Sequence, residues 1–279
     1  MVRPTFPLSG GALLFEERLI YFPSREIGAT PDALGLEHED VFLDAGEGVR
    51  IHGWFLRAGG PGPHGNVRNL SQTVLVCHGN AGNIGDRLDR ATFFHRILGV
   101  DVFLFDYRGF GRSDGRPSEE GTYLDAVAAF RYLTETRGIA SERVVLFGES
   151  LGAAVAIELA LRESAAALVL EAPFTSIAGM ARVAYPFLTP FLSLVRTRYD
   201  NLRKIPDVSL PLLVFHGRRD PVVPFEQGEA LFRAARGPKT FVPLENAGHA
   251  DGYVVEGNVY WDAWKALLTS LDSGRMRER

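Results

Sequence analysis

A serine with glycine two residues away on each side occupies Gly148-Glu149-Ser150-Leu151-Gly152. Arg143 to Phe147 ahead of it is an apolar, β-branched run of strand length, and Ala153 to Arg162 behind it is rich in alanine and leucine and free of glycine and proline. Strand, G-x-S-x-G, helix is the order of a nucleophile elbow. Such a turn is tight enough to drive Ser150 toward strained backbone angles, and the small flanking residues relieve the crowding. It lifts the hydroxyl clear of the sheet and leaves the Leu151 amide at a helix N-terminus, where an oxyanion can be held. The five-residue pattern alone also fits a plain glycine-rich turn; its place between this strand and this helix favours the elbow.

A serine hydroxyl is a weak nucleophile at neutral pH and needs a base, which in turn needs a carboxylate to fix its tautomer. In a parallel sheet these groups must come from loops at the C-terminal ends of strands, the edge that carries the elbow. Asp220 passes this filter, in His216-Gly217-Arg218-Arg219-Asp220-Pro221, just beyond a strand at 212–216. His249 passes it too, in Glu245-Asn246-Ala247-Gly248-His249-Ala250-Asp251, beyond a strand at 240–242. Each has a plainer alternative, a turn residue before proline for Asp220 and a loop histidine for His249. Glu171, ending its own strand, is the runner-up acid, its alternative being an anchor for the loop that follows. The remaining histidines fit poorly as base: His38, His64 and His95 fall in early loops or a helix, His52 in a hairpin, and His78 and His216 flank strand ends. His216 reads as packed or bonded near the site. A second oxyanion donor is expected from the amide of Asn80 in His78-Gly79-Asn80, where glycine lets the loop approach the reacting carbon. Phosphate-binding loops are excluded, since His78 to Asp86 lacks a Gly-Lys-Ser/Thr ending and Gly109 to Asp114 lacks a third glycine.

The elements that position these residues alternate. Val41 to Asp44 and Val49 to Leu56, around Gly46-Glu47-Gly48, read as an antiparallel hairpin, after an N-terminal extension over 1–40 that holds a short helix at Leu13 to Ile20. About six buried strands then alternate with helices, among them Thr73 to Cys77, Asp101 to Asp106 and Ala167 to Glu171, with Ser118 as the N-cap of a helix reaching Arg137. That predicts an α/β domain over 41–279, a mostly parallel sheet covered on both faces. The alternation lapses from about 173 to 208, where Pro186 and Pro190 interrupt an aromatic stretch; this insertion is expected to form a small cap over the site. Its Phe174, Met180, Tyr185, Phe187, Leu188 and Phe191 either line an acyl pocket or bury the cap against the core, and a lipid-docking face is disfavoured by the two prolines.

The totals narrow the rest. Apolar and charged fractions of 46% and 23% over 279 residues are those of an ordinary globule. A formal charge of −4 and a pI near 6.0 leave no basic footprint for nucleic acid. One cysteine, Cys77, rules out an internal disulfide and a multi-thiolate metal site, and fits a reducing compartment. No stretch reaches membrane-span length without charge or proline, so a soluble, cytoplasmic protein is expected, with membrane contact not indicated and no metal or organic cofactor needed.

The set HGNAGN (78–83), DYRGFGRSDG (106–115), GESLGAAVA (148–156), EAPFTS (171–176), HGRRDPVVP (216–224) and NAGHAD (246–251) resembles the α/β-hydrolase superfamily. Within it the match is to the Bem46-like branch, which includes the α/β-hydrolase domain-containing 13, 12 and 17 proteins of animals. The resemblance spans nearly the whole chain. It implies an eight-stranded, mostly parallel sheet, with Ser150, Asp220 and His249 as a catalytic triad and Asn80 and Leu151 as oxyanion donors. Many members carry an N-terminal membrane anchor, a pattern from which this sequence departs. Serine at the elbow argues against epoxide hydrolase and dehalogenase chemistry, which the fold runs with aspartate. A carboxylesterase acting on small-molecule esters of short-to-medium acyl chain is the expected activity. Lysophospholipase, depalmitoylase-like thioesterase, amidase or peptidase activities use the same residues, and a non-catalytic scaffold is the reading least in keeping with an intact Ser-Asp-His set.

Overall fold

The apolar runs of the sequence become the middle of one sheet. The computed structural model describes residues 11–58, 72–184 and 195–277. The chain opens with helix α1 (Gly11–Ile20) and a two-residue strand β1 (Phe22–Pro23), then forms a hairpin of β2 (His38–Asp44) and β3 (Arg50–Leu56). β4 (Thr73–Cys77), β5 (Ala81–Gly82), α2 (Leu88–Phe93) and β6 (Asp101–Phe105) follow. Next come α3 (Glu119–Arg131), β7 (Val144–Glu149), α4 (Leu151–Arg162) and β8 (Ala167–Glu171). Helices α5 (Ile177–Ala184) and α6 (Asn201–Lys204) lie between β8 and β9 (Leu212–Gly217). The chain then runs through α7 (Phe225–Ala234), β10 (Lys239–Leu244), α8 (Gly252–Val255) and α9 (Gly257–Arg277).

Eight of these strands make one sheet in the order β10-β9-β8-β7-β4-β6-β3-β2. From β10 to β6 every pairing is parallel; β3 and β2 are added antiparallel. Alternate side chains of each strand feed two cores. Leu75, Cys77, Leu146, Leu168 and Val214 pack with α3 and α4 on one face, and Val74, Val76, Val145, Phe147 and Phe215 pack with α2 and α9 on the other. Helix α4 presents Ala153, Ala154 and Ala156, all fully buried, so its small side chains let it lie close to the sheet. Ser118 caps α3, its hydroxyl accepting from the Gly121 N–H at 3.1 Å.

Element limits differ from the sequence reading where polarity misleads. Strand β2 starts at His38 rather than Val41, because an edge strand tolerates His38, Glu39 and Asp40 on its open side. The helical stretch from Ile84 to Leu98 is not one regular helix but a 3₁₀ turn (Ile84–Arg87), α2 and a π turn (Phe94–Leu98) in succession. The N-terminal segment is also more than an extension: Tyr21 is buried in the core, and β1 pairs in parallel with β5.

One polar cluster is built into this core. Glu149 and Glu171 end β7 and β8 opposite one another. Arg90 of α2, itself buried, pairs with Glu171 through Nη1 and with Glu149 Oε2 at 3.3 Å through Nη2. The same guanidinium donates to the Ala250 carbonyl at 2.6 Å and to the Tyr260 hydroxyl at 3.2 Å. Removing one member of a buried ion cluster leaves uncompensated charge and typically costs about 3–5 kcal/mol. Arg90→Met is therefore expected to lower unfolding free energy by that order at neutral pH, read by urea denaturation. In that variant the two glutamates bind protons more tightly folded than unfolded, so the deficit should shrink as pH falls through the carboxylate range.

Candidate active site

Ser150 sits between β7 and α4 with φ 54° and ψ −114°, a positive φ rare for a residue with a side chain. The turn needs glycine on both flanks. A Cβ on Gly148 would run into the backbone of Gly152 and Ala153, and one on Gly152 would strike the carbonyls of Cys77 and His78. The Ser150 N–H is held by the Glu171 carbonyl at 2.9 Å, which ties the elbow to the neighbouring strand end.

Asp220 and His249 come from the loops after β9 and β10 and converge on this serine. His249 Nε2 lies 3.1 Å from Ser150 Oγ, and His249 Nδ1 lies 2.8 Å from Asp220 Oδ2. A carboxylate only accepts, so Nδ1 carries the proton and Nε2 is free to accept the serine hydrogen. Asp220 Oδ1 accepts from the amides of Val222 and Val223, both at 2.8 Å, which fixes the carboxylate and leaves Oδ2 for the imidazole. The two loops are laced together by the Arg219 N–H on the Ala247 carbonyl at 3.1 Å. On the far side of His249, Ala250 takes φ 55° and offers its carbonyl to Arg90.

Burial alone would push the His249 imidazole down. The hydrogen bond and charge of Asp220, with the charges of Glu149 and Glu171 behind it, outweigh that and hold it above the ordinary value. Burial raises Asp220 in turn, but His249 and the two amides reverse the effect and keep it ionised. The other candidates fall elsewhere. Glu171 is bound by Arg90 and by the Tyr260 hydroxyl at 2.9 Å, the anchoring alternative. His216 is buried, donating from Nε2 to the Val223 carbonyl at 2.9 Å behind Asp220. His78 is buried, pushed down to about 3 chiefly by burial, and donates from Nδ1 to the Gly79 carbonyl at 2.8 Å.

Leu151 opens α4, where a first-turn amide has no partner within the helix. Asn80 follows β4, which runs beside β7 with Cys77 opposite Gly148, so both expected donors stand at the same sheet edge. Gly79 passes so close to the elbow that a Cβ there would meet Glu149 Oε1 at 3.1 Å. Of the residues expected to line a pocket, Phe174 is buried with its ring 6.5 Å from that of Tyr199, and the Met180 sulfur accepts from Gln227 Nε2 at 3.4 Å. For Phe174 that is core packing. Tyr185, Phe187, Leu188 and Phe191 lie outside the described residues. Among the described residues no group of three or more His, Cys, Asp or Glu is placed to hold a metal ion, and no helix is long and apolar enough to cross a membrane.

Sequence reasoning missed Arg90, which touches the strand ends and the residue after His249. Its signal was there: Arg90 lies one turn before Phe94, on the apolar stripe of α2 that also carries Ala91, a position where an unpaired charge would not be tolerated.

Comparison with known proteins agrees with this architecture. Residues 68–202 match the family described as serine aminopeptidase, S33. The chain is 36% identical over 282 residues to the α/β hydrolase domain-containing protein WAV2 of Arabidopsis thaliana, covering 91% of this chain and 88% of the relative. It is 33% identical over 256 residues to protein bem46 of Schizosaccharomyces pombe, covering 87% and 83%. In fold it resembles the Pyrococcus furiosus esterase Pf2001, with a TM-score of 0.71 at 23% identity over 90% of this chain and 97% of that one. Extended identity to both eukaryotic relatives, on an eight-stranded sheet with a serine elbow after its central strand, makes this chain a member of the α/β-hydrolase family, in its Bem46-like branch.

Proposed function

We propose that this α/β hydrolase is a carboxylesterase that cleaves esters of short-to-medium acyl chain through an acyl-enzyme on Ser150. The observation that carries the reading is the continuous hydrogen-bonded line from Ser150 Oγ through His249 to Asp220, at 3.1 and 2.8 Å. In the proposed cycle His249 Nε2 takes the serine proton as Oγ attacks the ester carbon, and the amides of Leu151 and Asn80 bear the charge on the carbonyl oxygen. His249 then returns its proton to the departing alcohol and activates a water that releases the acid. Asp220 keeps Nδ1 protonated and stabilises the imidazolium in each step.

The aminopeptidase description of the matched family favours a second reading, hydrolysis of a peptide with a free amino terminus. That chemistry calls for an unpaired carboxylate to receive the substrate ammonium. The two carboxylates behind Ser150, Glu149 and Glu171, are both engaged by Arg90, which weighs against it.

With p-nitrophenyl esters from acetyl to palmitoyl, wild type should turn over the shorter part of the series. Ser150→Ala and His249→Ala should each lower kcat by roughly four to six orders of magnitude with the melting temperature unchanged. Inactivity of wild type on every ester would remove the esterase reading.

The protonation states predict the pH profile. The base works as neutral imidazole, so kcat/KM should climb with pH to a plateau. Because His249 is held above its ordinary value, the inflection should lie above about 6.5. Asp220→Asn removes the principal cause of that elevation, so the inflection should move to lower pH while the plateau drops by about 10⁴. An unmoved inflection would show that Asp220 does not act on this histidine.

A further inference from the structure

The loop bearing Asn80 is braced by the N-terminal segment rather than by the hydrolase core alone. The Asn80 side chain donates from Nδ2 to the Ile20 carbonyl at 2.7 Å, and the Asn80 carbonyl accepts from the Phe22 N–H at 2.8 Å. The Ser24 N–H continues the ladder to Gly82 at 2.9 Å, and Asn83 Nδ2 reaches the carbonyls of Ser24 and Glu26 at 3.3 and 2.6 Å. One residue back, the Gly79 carbonyl is fixed by His78 Nδ1 at 2.8 Å. In a trans peptide the N–H points opposite to the C=O of the same unit. With the Gly79 carbonyl held on one side, the Asn80 N–H must face the other, while the Phe22 N–H holds the next peptide unit and the Ile20 carbonyl holds the Asn80 side chain.

The same segment reaches the chain that returns from the β8–β9 connection. The Tyr21 hydroxyl meets the Tyr199 hydroxyl at 2.8 Å, which also meets Thr122 Oγ1 at 2.8 Å, and both tyrosines are buried. Glu16 accepts from the amides of Arg196 and Thr197 at 3.2 and 2.6 Å, and Glu119 accepts from those of Arg198 and Tyr199 at 2.6 and 2.8 Å.

We propose that Ile20–Ser24 is a positioning element of the active site, which aims the Asn80 amide at the oxyanion and which Tyr21 locks to the segment 196–199. Neither Tyr21 nor the Asn80 side chain touches the reacting atoms; they act through the Asn80 peptide. The inference rests on the acyl-transfer reading above, in which that amide is an oxyanion donor.

The test uses the full chain and reads two quantities: the rate constant for covalent labelling of Ser150 by a fluorophosphonate, and kcat and KM for p-nitrophenyl butyrate. Both depend on a negative oxygen held by the amides, and labelling does not depend on the ester being the right substrate. Asn80→Ala keeps the N–H and removes its brace, so labelling and kcat should fall together by about tenfold, short of the roughly 10²–10³ for losing a donor outright, with KM within about twofold. Tyr21→Phe should give a smaller loss in the same direction, about threefold by the same reasoning. Leu268→Val, in the core on the opposite face of the sheet, lowers melting temperature and serves as the control for instability, with kcat per labelled serine unchanged. Wild-type labelling constants and kcat per labelled serine in both Asn80→Ala and Tyr21→Phe would overturn the inference alone. A wild type that neither labels nor hydrolyses would overturn the acyl-transfer reading first, and this inference with it.

Discussion

Two glutamates end neighbouring parallel strands side by side, both out of water. Burying each carboxylate costs several kcal/mol after relaxation, and their mutual repulsion adds to it. Only a cation in the same space makes the arrangement tolerable, and Arg90 is that cation, with Arg87 Nη2 at 3.5 Å from Glu149 in support. The consequences reach the chemistry directly. Ser150 follows Glu149 in the chain and hangs its N–H on the Glu171 carbonyl, so whatever fixes those two strand ends fixes the serine. The same guanidinium holds the carbonyl of Ala250, next to His249. A side chain that touches neither Ser150 nor His249 therefore constrains both ends of the 3.1 Å contact between them.

What the sequence made legible follows from one geometric fact. In a parallel sheet every strand delivers its loop to the same edge, so a serine after one strand, an aspartate after a second and a histidine after a third converge without any further information. Asp220 could be preferred to Glu171 for that reason: Asp220 stands on a loop beyond its strand with room to turn toward the histidine, whereas Glu171 is the last residue of β8 and still within the sheet. The features that stayed hidden lack a periodic signature. A two-residue pairing such as β1 with β5 is too short to alternate, and a polar edge strand such as His38–Asp40 carries no apolar pattern. Arg90 was hidden for another reason, since an arginine on a helix ordinarily reads as solvated unless its position on the apolar stripe is weighed. Phe174 shows the limit from the other side: an aromatic residue announces burial, and only the fold says that its neighbour is Tyr199.

The charges around His249 also bear on what the site can bind. Asp220 touches the imidazole, while Glu149 and Glu171 act on it from behind, all three favouring its protonated form. That environment suits a reaction in which the imidazolium appears transiently and the substrate arrives neutral. A substrate bringing an ammonium would have to compete with Arg90 for carboxylates it already holds at the cost of its own desolvation.

The site is thus assembled from two halves, each with its own main support. The base side is held by Arg90, inside the core, and by the loop amides that grip Asp220. The Asn80 side is held by a segment near the start of the chain, through bonds that belong to no strand of the main sheet. The halves meet where Gly79 passes Glu149, so close that a Cβ there would stand 3.1 Å from Oε1 and the carboxylate would have to yield by a few tenths of an ångström. Arg87 bridges them there, its Nη2 donating to the Ala81 carbonyl at 3.3 Å and standing 3.5 Å from Glu149 Oε1. Loosening the first alters the protonation of the base along with its position, since Arg90 governs the charge of the glutamates that face it. On the proposal above, loosening the second changes where the Asn80 amide points and none of the charges that act on His249.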